Sequence, residues 1–215
     1  MKCKASHAHS KAQLLGDIAV IRAGHHLRRS VDDQVKAGYL AAGRREPRFG
    51  RIVQIADVRQ DESLDYSRLA AVDLADVAAD AMLRRGDVLL VGRGARSDAV
   101  ALEAEINDAV AGAQLFVIRP EPMVSPQFLA WFLNRQTAQR YLRGNKAGSL
   151  VQILTKETLS RLPVTVPSLE IQDKIVKIHW LSVKEARLMD DIKQKKRVLV
   201  ETTLLRSLQA HEQRP

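Results

Sequence analysis

Cys3 is the only cysteine in the chain. No disulfide can close within it and no thiolate zinc site can form, which suits a reducing cytoplasm. Aromatic residues make up only 4% of a chain that is 46% hydrophobic, so the core is expected to be aliphatic. No run of about 18 apolar residues occurs, and no membrane-spanning helix is expected. The opening MKCKASHAHSKAQ has basic residues without an apolar stretch behind them, so it is not read as a secretory signal. His7 and His9 lack a third ligand at an obvious spacing, and no metal site is assigned. Also missing are a GxxxxGK(S/T) phosphate loop, an HExxH helix and a GxSxG elbow. No catalytic constellation emerges, and the expectation is a non-catalytic binding protein without a cofactor of its own.

Glycine and proline are absent from Leu169 to Arg214. A continuous helix there would be roughly 70 Å long at about 1.5 Å per residue. The stretch leading into it, Arg161–Ile178 (RLPVTVPSLEIQDKIVKI), changes period midway. Leu162, Val164 and Val166 alternate with Pro163, Thr165 and Pro167, as in an extended segment. From Ser168 the period is helical: Ser168 can cap, Glu170 and Asp173 sit in the first turn, and Ile171, Ile175 and Ile178 share a face. Pro167–Ser168 is therefore expected to be a hinge. The chain is divided into a flexible lead-in (1–13), a body (14–167) and a long helix (168–215). The fold class expected is α+β, a compact body of mixed strands and short helices followed by one long coiled-coil helix.

What the chain has in excess is positive charge. Lys and Arg number 34 against 25 Asp and Glu, a net +9 with a pI near 9.9. The helix from Leu169 carries 10 basic and 7 acidic residues, so the excess is shared with the body. A polyanionic partner is indicated. From Arg22 to Arg51 there are eight basic residues and three acids, among Gly38, Gly43, Gly50, Pro47, Tyr39 and Phe49. A basic loop whose glycines permit close backbone approach suits phosphates and base edges. From Arg135 to Arg161 six basic residues face one acid, Glu157. Asp61–Asp80 is acidic and is expected to face away from the polyanion.

Strands are expected at Arg51–Val58, at Leu83–Val91 with a turn at Arg85–Gly86–Asp87, and at Ala113–Ile118. Helices are expected at Ala70–Ala81, at Ser125–Leu142 with Trp131 in the core, and at Thr155–Leu162 with Thr155 and Thr158 as caps. Gly92–Arg93–Gly94 follows a strand but lacks the third glycine of a dinucleotide loop. Its arginines better suit phosphate or guanine.

Three pieces of this sequence resemble the DNA-specificity (S) subunit of Type I restriction–modification systems. They are LLGDIAVIRAG, LRRGDVLLVGRG and, most specific, AGSLVQILTKETLSRLPVTVPSLEIQDKIVKI. The resemblance runs from about Leu14 to the C-terminus. It implies a target-recognition domain followed by a coiled-coil helix, double-stranded DNA as ligand, and methyltransferase (M) and restriction (R) subunits as partners. S-adenosylmethionine, ATP and Mg would then belong to those partners. Family members hold two such units, each reading half of a split site, with the helices setting the spacing. This chain has one unit, so it is either a half-subunit that dimerises or a truncated product. The apolar stripe of Ile171, Ile175, Ile178, Leu181, Leu188, Ile192, Leu199, Leu205 and Leu208 favours a homodimer, and Glu185 and Lys195 interrupt it. Antiparallel pairing would place two recognition domains about a two-fold axis. DNA contacts are expected from His25, His26, Arg28 and Arg29, from Arg44, Arg45 and Arg48, from Arg93 and Arg96, and from Lys146, Ser149 and Gln152. Arginine takes guanine bidentately, glutamine takes adenine, and lysine positions phosphate. The rival readings are a stand-alone nuclease or restriction-enzyme fragment, and a coiled-coil adaptor without DNA specificity.

Overall fold

A computed structural model describes residues 12–26, 48–148 and 152–212, the side chains of 207–212 excepted. The segment AQLLGDIAVIRA forms strand β1 (Ala12–Leu14), one turn of helix α1 (Leu15–Ile18) and strand β2 (Ala19–Ala23). Ala12 and Gln13, expected in the lead-in, are thus strand residues. They pair antiparallel with β9 (Pro163–Thr165), Gln13 opposite Val164. That short strand is the extended segment expected from the alternation at Leu162–Val166.

The body holds two larger sheets. The first has the order β2-β8-β5-β6, with β5 at Val88–Val91, β6 at Ala99–Ala101 and β8 at Leu115–Pro120, all neighbours antiparallel. The second has the order β4-β3-β7, with β3 at Phe49–Val53, β4 at Ala70–Asp73 and β7 at Ala109–Ala111. Period-2 alternation sends side chains to opposite faces. Leu89 and Val91 of β5 with Leu115 and Val117 of β8 meet Val53, Ala109 and Ala111 in one buried cluster. The second sheet's other face buries Ile52, Val72 and Val110 against Leu74, Val77 and Met82. Helix α2 (Pro126–Asn134) packs on β5 and β6 through its buried Phe128, Leu129 and Leu133. Every residue of β5 is buried, as expected of a strand covered on both faces.

Several expectations need correction. Ala70–Ala81 is not a helix: β4 pairs with β3, and only Ala79–Ala81 coils, as a 3-10 turn. A strand partner and the burial of Val72, Leu74 and Val77 override alanine's helix propensity. The strand expected at Arg51–Val58 begins at Phe49 and stops at Val53, where the Gln54 and Asp57 side chains cap a 3-10 turn. Ser125–Leu142 is two helices, because Arg135 is extended (ψ 147) between α2 and α3 (Gln136–Gly144). The Gln139 side chain donates to the Leu133 carbonyl at 2.7 Å, satisfying an acceptor freed by the break. Trp131 is half-buried rather than in the core, its ring 5.6 Å from Phe128 and 5.3 Å from the Arg135 guanidinium. The short helix α4 (Lys156–Ser160) is capped as expected, the Thr155 hydroxyl accepting from the Thr158 N–H at 3.1 Å.

One buried ion pair ties the first sheet together. Asp87, fully buried just before β5, takes the Arg119 guanidinium of β8 on both oxygens, at 2.7 and 2.9 Å. It also accepts the Arg84 N–H at 2.9 Å. A fork-on-carboxylate pair with a backbone N–H also on the acid, and a guanidinium that stays 31% exposed, is a geometry in which a buried carboxylate is tolerated.

Contacts divide the chain into two compact units, Met1–Lys174 and Ile175–Pro215. Helix α5 (Leu169–Glu212) begins in the first. Its Gln172 is fully buried there. The side-chain oxygen accepts the Ser125 N–H at 2.7 Å, and its nitrogen donates to the Met123 and Pro167 carbonyls at 2.9 and 2.8 Å. Gln172→Leu keeps the size but leaves these backbone groups without a partner. The expected loss is about 3 kcal/mol, seen in calorimetry as a fall of roughly 6–12 °C in the Tm of the body. A Tm within about 2 °C of wild type would show the three bonds to be dispensable.

Candidate nucleic-acid interface

Because β8 is antiparallel to both neighbours, β2 and β5 run in the same direction and end at the same side of the sheet. The next residue of each is a glycine hydrogen-bonded to the start of β8. Gly24 donates to the Leu115 carbonyl at 2.8 Å and Gly92 to the Gln114 carbonyl at 2.9 Å. The two exits lie two strand spacings apart, about 10 Å. The segments beginning at His25 and at Arg93 therefore leave from one platform. His25 is held by its own N–H on the Ala111 carbonyl at 2.7 Å and bridges to Gly112, which itself bonds to Val53 at 2.8 Å. His26 is exposed, and exposed Gln114 sits between the two exits.

The Gly-x-Gly spacing has a local cause. A Cβ on Gly92 would fall 2.6 Å from the Phe116 ring, and Gly94 has φ +93, a conformation that L side chains rarely adopt. The loop they form is stitched to the Gly-Ser region by backbone bonds. Gly94 donates to Gln152 at 2.9 Å, Leu154 to Gly92 at 2.8 Å, and Ala147 and Ile153 bond to each other at 2.9 and 2.8 Å. The Lys146 ammonium donates to the Gly94 carbonyl at 2.7 Å and the Arg96 carbonyl at 3.2 Å. Burial pushes its pKa below the usual lysine value, Arg143 nearby adds to this, and Asp98 opposes it. Lys146 is thus a strut as much as a free cation. Arg96 pairs with Asp98 at 3.2 Å while its side chain stays 56% exposed. Behind the loop, Gln139 donates to the Ser97 carbonyl at 2.8 Å, and the Asn134 amide brackets Ala99 at 2.9 and 2.8 Å.

The structure thus gathers Arg93, Arg96, Lys146 and Gln152 onto one hydrogen-bonded patch, with His25 and His26 at the neighbouring strand end. Arg93, Arg96 and Gln152 are exposed. Arg48 is elsewhere: it lies five residues before Val53, so about 16 Å back along β3 from the level of Gly112. Its N–H is taken by the Asp73 carboxylate at 3.1 Å. Arg28, Arg29, Arg44, Arg45 and Ser149 lie outside the described residues, as do His7 and His9. Sequence reading missed Arg143, exposed beside Lys146, although the excess of basic residues from Arg135 to Arg161 signalled it. Gln114 carried no signal, since only strand pairing places it between two loops. Such a patch offers cations and an amide on a fixed backbone, which suits phosphate and base-edge contacts. Among the described residues no group of three or more His, Cys, Asp or Glu is placed to hold a metal ion. No helix among them is long and apolar enough to cross a membrane.

Removing the strut while keeping its stem tests this geometry. Lys146→Met should leave the chain folded but speed amide hydrogen exchange at Gly94 and Leu154 by about tenfold, the scale of a lost charge-assisted bond. Unchanged exchange would mean that the backbone bonds hold the loop without Lys146.

The model of the Type I restriction modification DNA specificity domain matches residues 79–195. The chain is similar in fold to the HsdS subunit from Thermoanaerobacter tengcongensis, with TM-score 0.62 and 18% identity over 90% of this chain and 47% of that one. It is also similar to a chain from a structure addressing complex assembly and conformational transition of the type I R-M system. That match has TM-score 0.57 and 18% identity over 98% of this chain and 46% of the other. The chain therefore spans about half the length of these relatives. No curated protein matches it. With an α+β body, a long C-terminal helix and a family match over more than half of its residues, the chain belongs to the Type I restriction modification DNA specificity domain family.

Proposed function

We propose that this chain is the non-catalytic DNA-recognition subunit of a Type I restriction–modification complex, each copy reading one half of a bipartite double-stranded site. The observation that carries the reading is the shared platform at the end of the first sheet. There two loop exits and the Gly92–Arg96 segment, bonded to Gln152 and Leu154 through backbone and to the Lys146 side chain, present Arg93, Arg96, His26 and Gln152 together. Residues 14–167 serve as the target-recognition domain, and 168–215 supply the helix for pairing and for docking. Methyltransferase and restriction subunits gather on this scaffold and bring S-adenosylmethionine, ATP and Mg. A cytoplasmic location follows from such partners.

The helix supports a homodimer through its exposed stripe. Ile178, Leu181, Leu188, Ile192 and Leu199 are each more than half exposed within the chain, and an apolar row of that length needs a cover.

The test is binding of the full chain, assembled with its methyltransferase, to sites selected from a random duplex pool. Arg93→Ala together with Arg96→Ala should weaken specific binding at least tenfold, the low end of about 1–3 kcal/mol for a bidentate contact. Each phosphate that these arginines neutralise in the wild type should, in the variant, flatten the dependence on log salt by about one unit. Specific binding equal to wild type at matched salt would remove these arginines from the interface.

A further inference from the structure

The long helix repeats every seven residues. Ile171, Ile178, Ile192 and Leu199 occupy one heptad position, and Leu181 and Leu188 occupy the position three residues later. Both rows face outward: Ile178 is 68% exposed, Leu181 67%, Leu188 52%, Ile192 56% and Leu199 67%. Each row is also broken by a charge. Glu185 stands in the first row, and Lys195 in the second. Among the described residues neither has an ion-pair partner in its own chain. A charge in a coiled-coil seam is costly when it lacks a partner there, and it selects the arrangement that supplies one.

Only one arrangement of two identical helices does so. In a parallel pair every seam residue meets its own copy, so Glu185 would face Glu185 and Lys195 would face Lys195. In an antiparallel pair each first-row residue meets a second-row one. Setting Glu185 against the partner's Lys195 fixes the other layers. Ile178 then meets the partner's Thr202, Leu181 meets the partner's Leu199, and Leu188 meets the partner's Ile192. The two-fold axis repeats each contact, including a second Glu185–Lys195 pair. Sliding by one heptad in either direction puts Glu185 against Leu188 or Thr202, and Lys195 against Ile178 or Ile192. The matched stretch thus runs from Ile178 to Thr202. Lys174 lies outside it and is paired with Glu170 of its own helix at 2.6 Å.

We infer that reciprocal Glu185–Lys195 ion pairs between two copies of this chain fix the register in which the helix meets its antiparallel partner. The inference rests on the homodimer proposed above, and it goes further by naming the residues that choose among possible dimers. The self-complementary pattern is the argument for a second copy: the charges that break each row are matched by this same sequence reversed.

The full chain with Cys3→Ser provides the test. Sedimentation should give a wild-type particle of about twice 24.0 kDa. Glu185→Lys and Lys195→Glu should each raise the dimer dissociation constant about tenfold or more. The double variant, with both charges exchanged, should return it to near the wild-type value. Direction is read by cross-linking under mild oxidation. Leu181→Cys alone should stay uncross-linked, since the two sulfurs would lie about 27 Å apart along the axis. An equal mixture of Leu181→Cys and Leu199→Cys chains should cross-link. A dimer indifferent to the charge changes, or one in which Leu181→Cys links to itself, overturns the inference and leaves the homodimer standing. A monomeric wild type overturns the homodimer itself.

Discussion

Everything in the body is arranged around β8, which is paired antiparallel on both sides. A strand with a ladder on each edge fixes the direction of its two neighbours, and with it the side of the sheet from which their loops emerge. β2 and β5 are far apart in sequence, yet both end beside Gln114 and Leu115. The buried Asp87–Arg119 pair holds β5 against β8 near the opposite end of the ladder. Together they fix the positions of Gly24 and Gly92, and the backbone bonds of Gly92, Gly94 and Leu154 hold the start of the Arg93 loop on that platform. A backbone tied down in this way leaves fewer loop states to be frozen when a ligand binds.

What could be read directly in the sequence was whatever local pattern decides. The change of period at Arg161–Ile178 marked both β9 and the start of α5, because alternation and helical spacing are properties of neighbouring residues. The strand at Ala113–Ile118 was legible within two residues at each end for the same reason, and that at Leu83–Val91 only in its second part, from Val88 after the turn. Ala70–Ala81 was not. Alanine leaves the choice to tertiary context, and here β3 offered a strand partner. The break at Arg135 also carried no local sign, having neither glycine nor proline. It depends on Gln139 reaching back to Leu133.

The candidate site divides along the same line. Arg93 and Arg96 could be picked out because two glycines flank Arg93 and imply an unusual backbone. Lys146 and Gln152 could be chosen from charge and composition, but not their relation to that loop, which is made by backbone bonds across more than fifty residues of chain. The different standing of Lys146 and Arg93 is likewise three-dimensional. One ammonium is committed to two carbonyls, while the Arg93 side chain stands exposed on the surface. Arg48, grouped with its basic neighbours in sequence, is separated from the patch by the length of a strand.

Gln172 has a consequence for how such chains can be recombined. Its amide bonds to Met123 and Ser125, just before α2, and to Pro167 of the proline segment, so the first turn of α5 is part of the body's own packing. A crossover at Ser168 would join one parent's glutamine to another parent's carbonyls and leave the junction dependent on their agreement. A crossover just beyond Lys174 keeps donor and acceptors in one inheritance. The natural seam for exchanging bodies of this fold is therefore inside the helix, one and a half turns past the point where the chain first becomes helical.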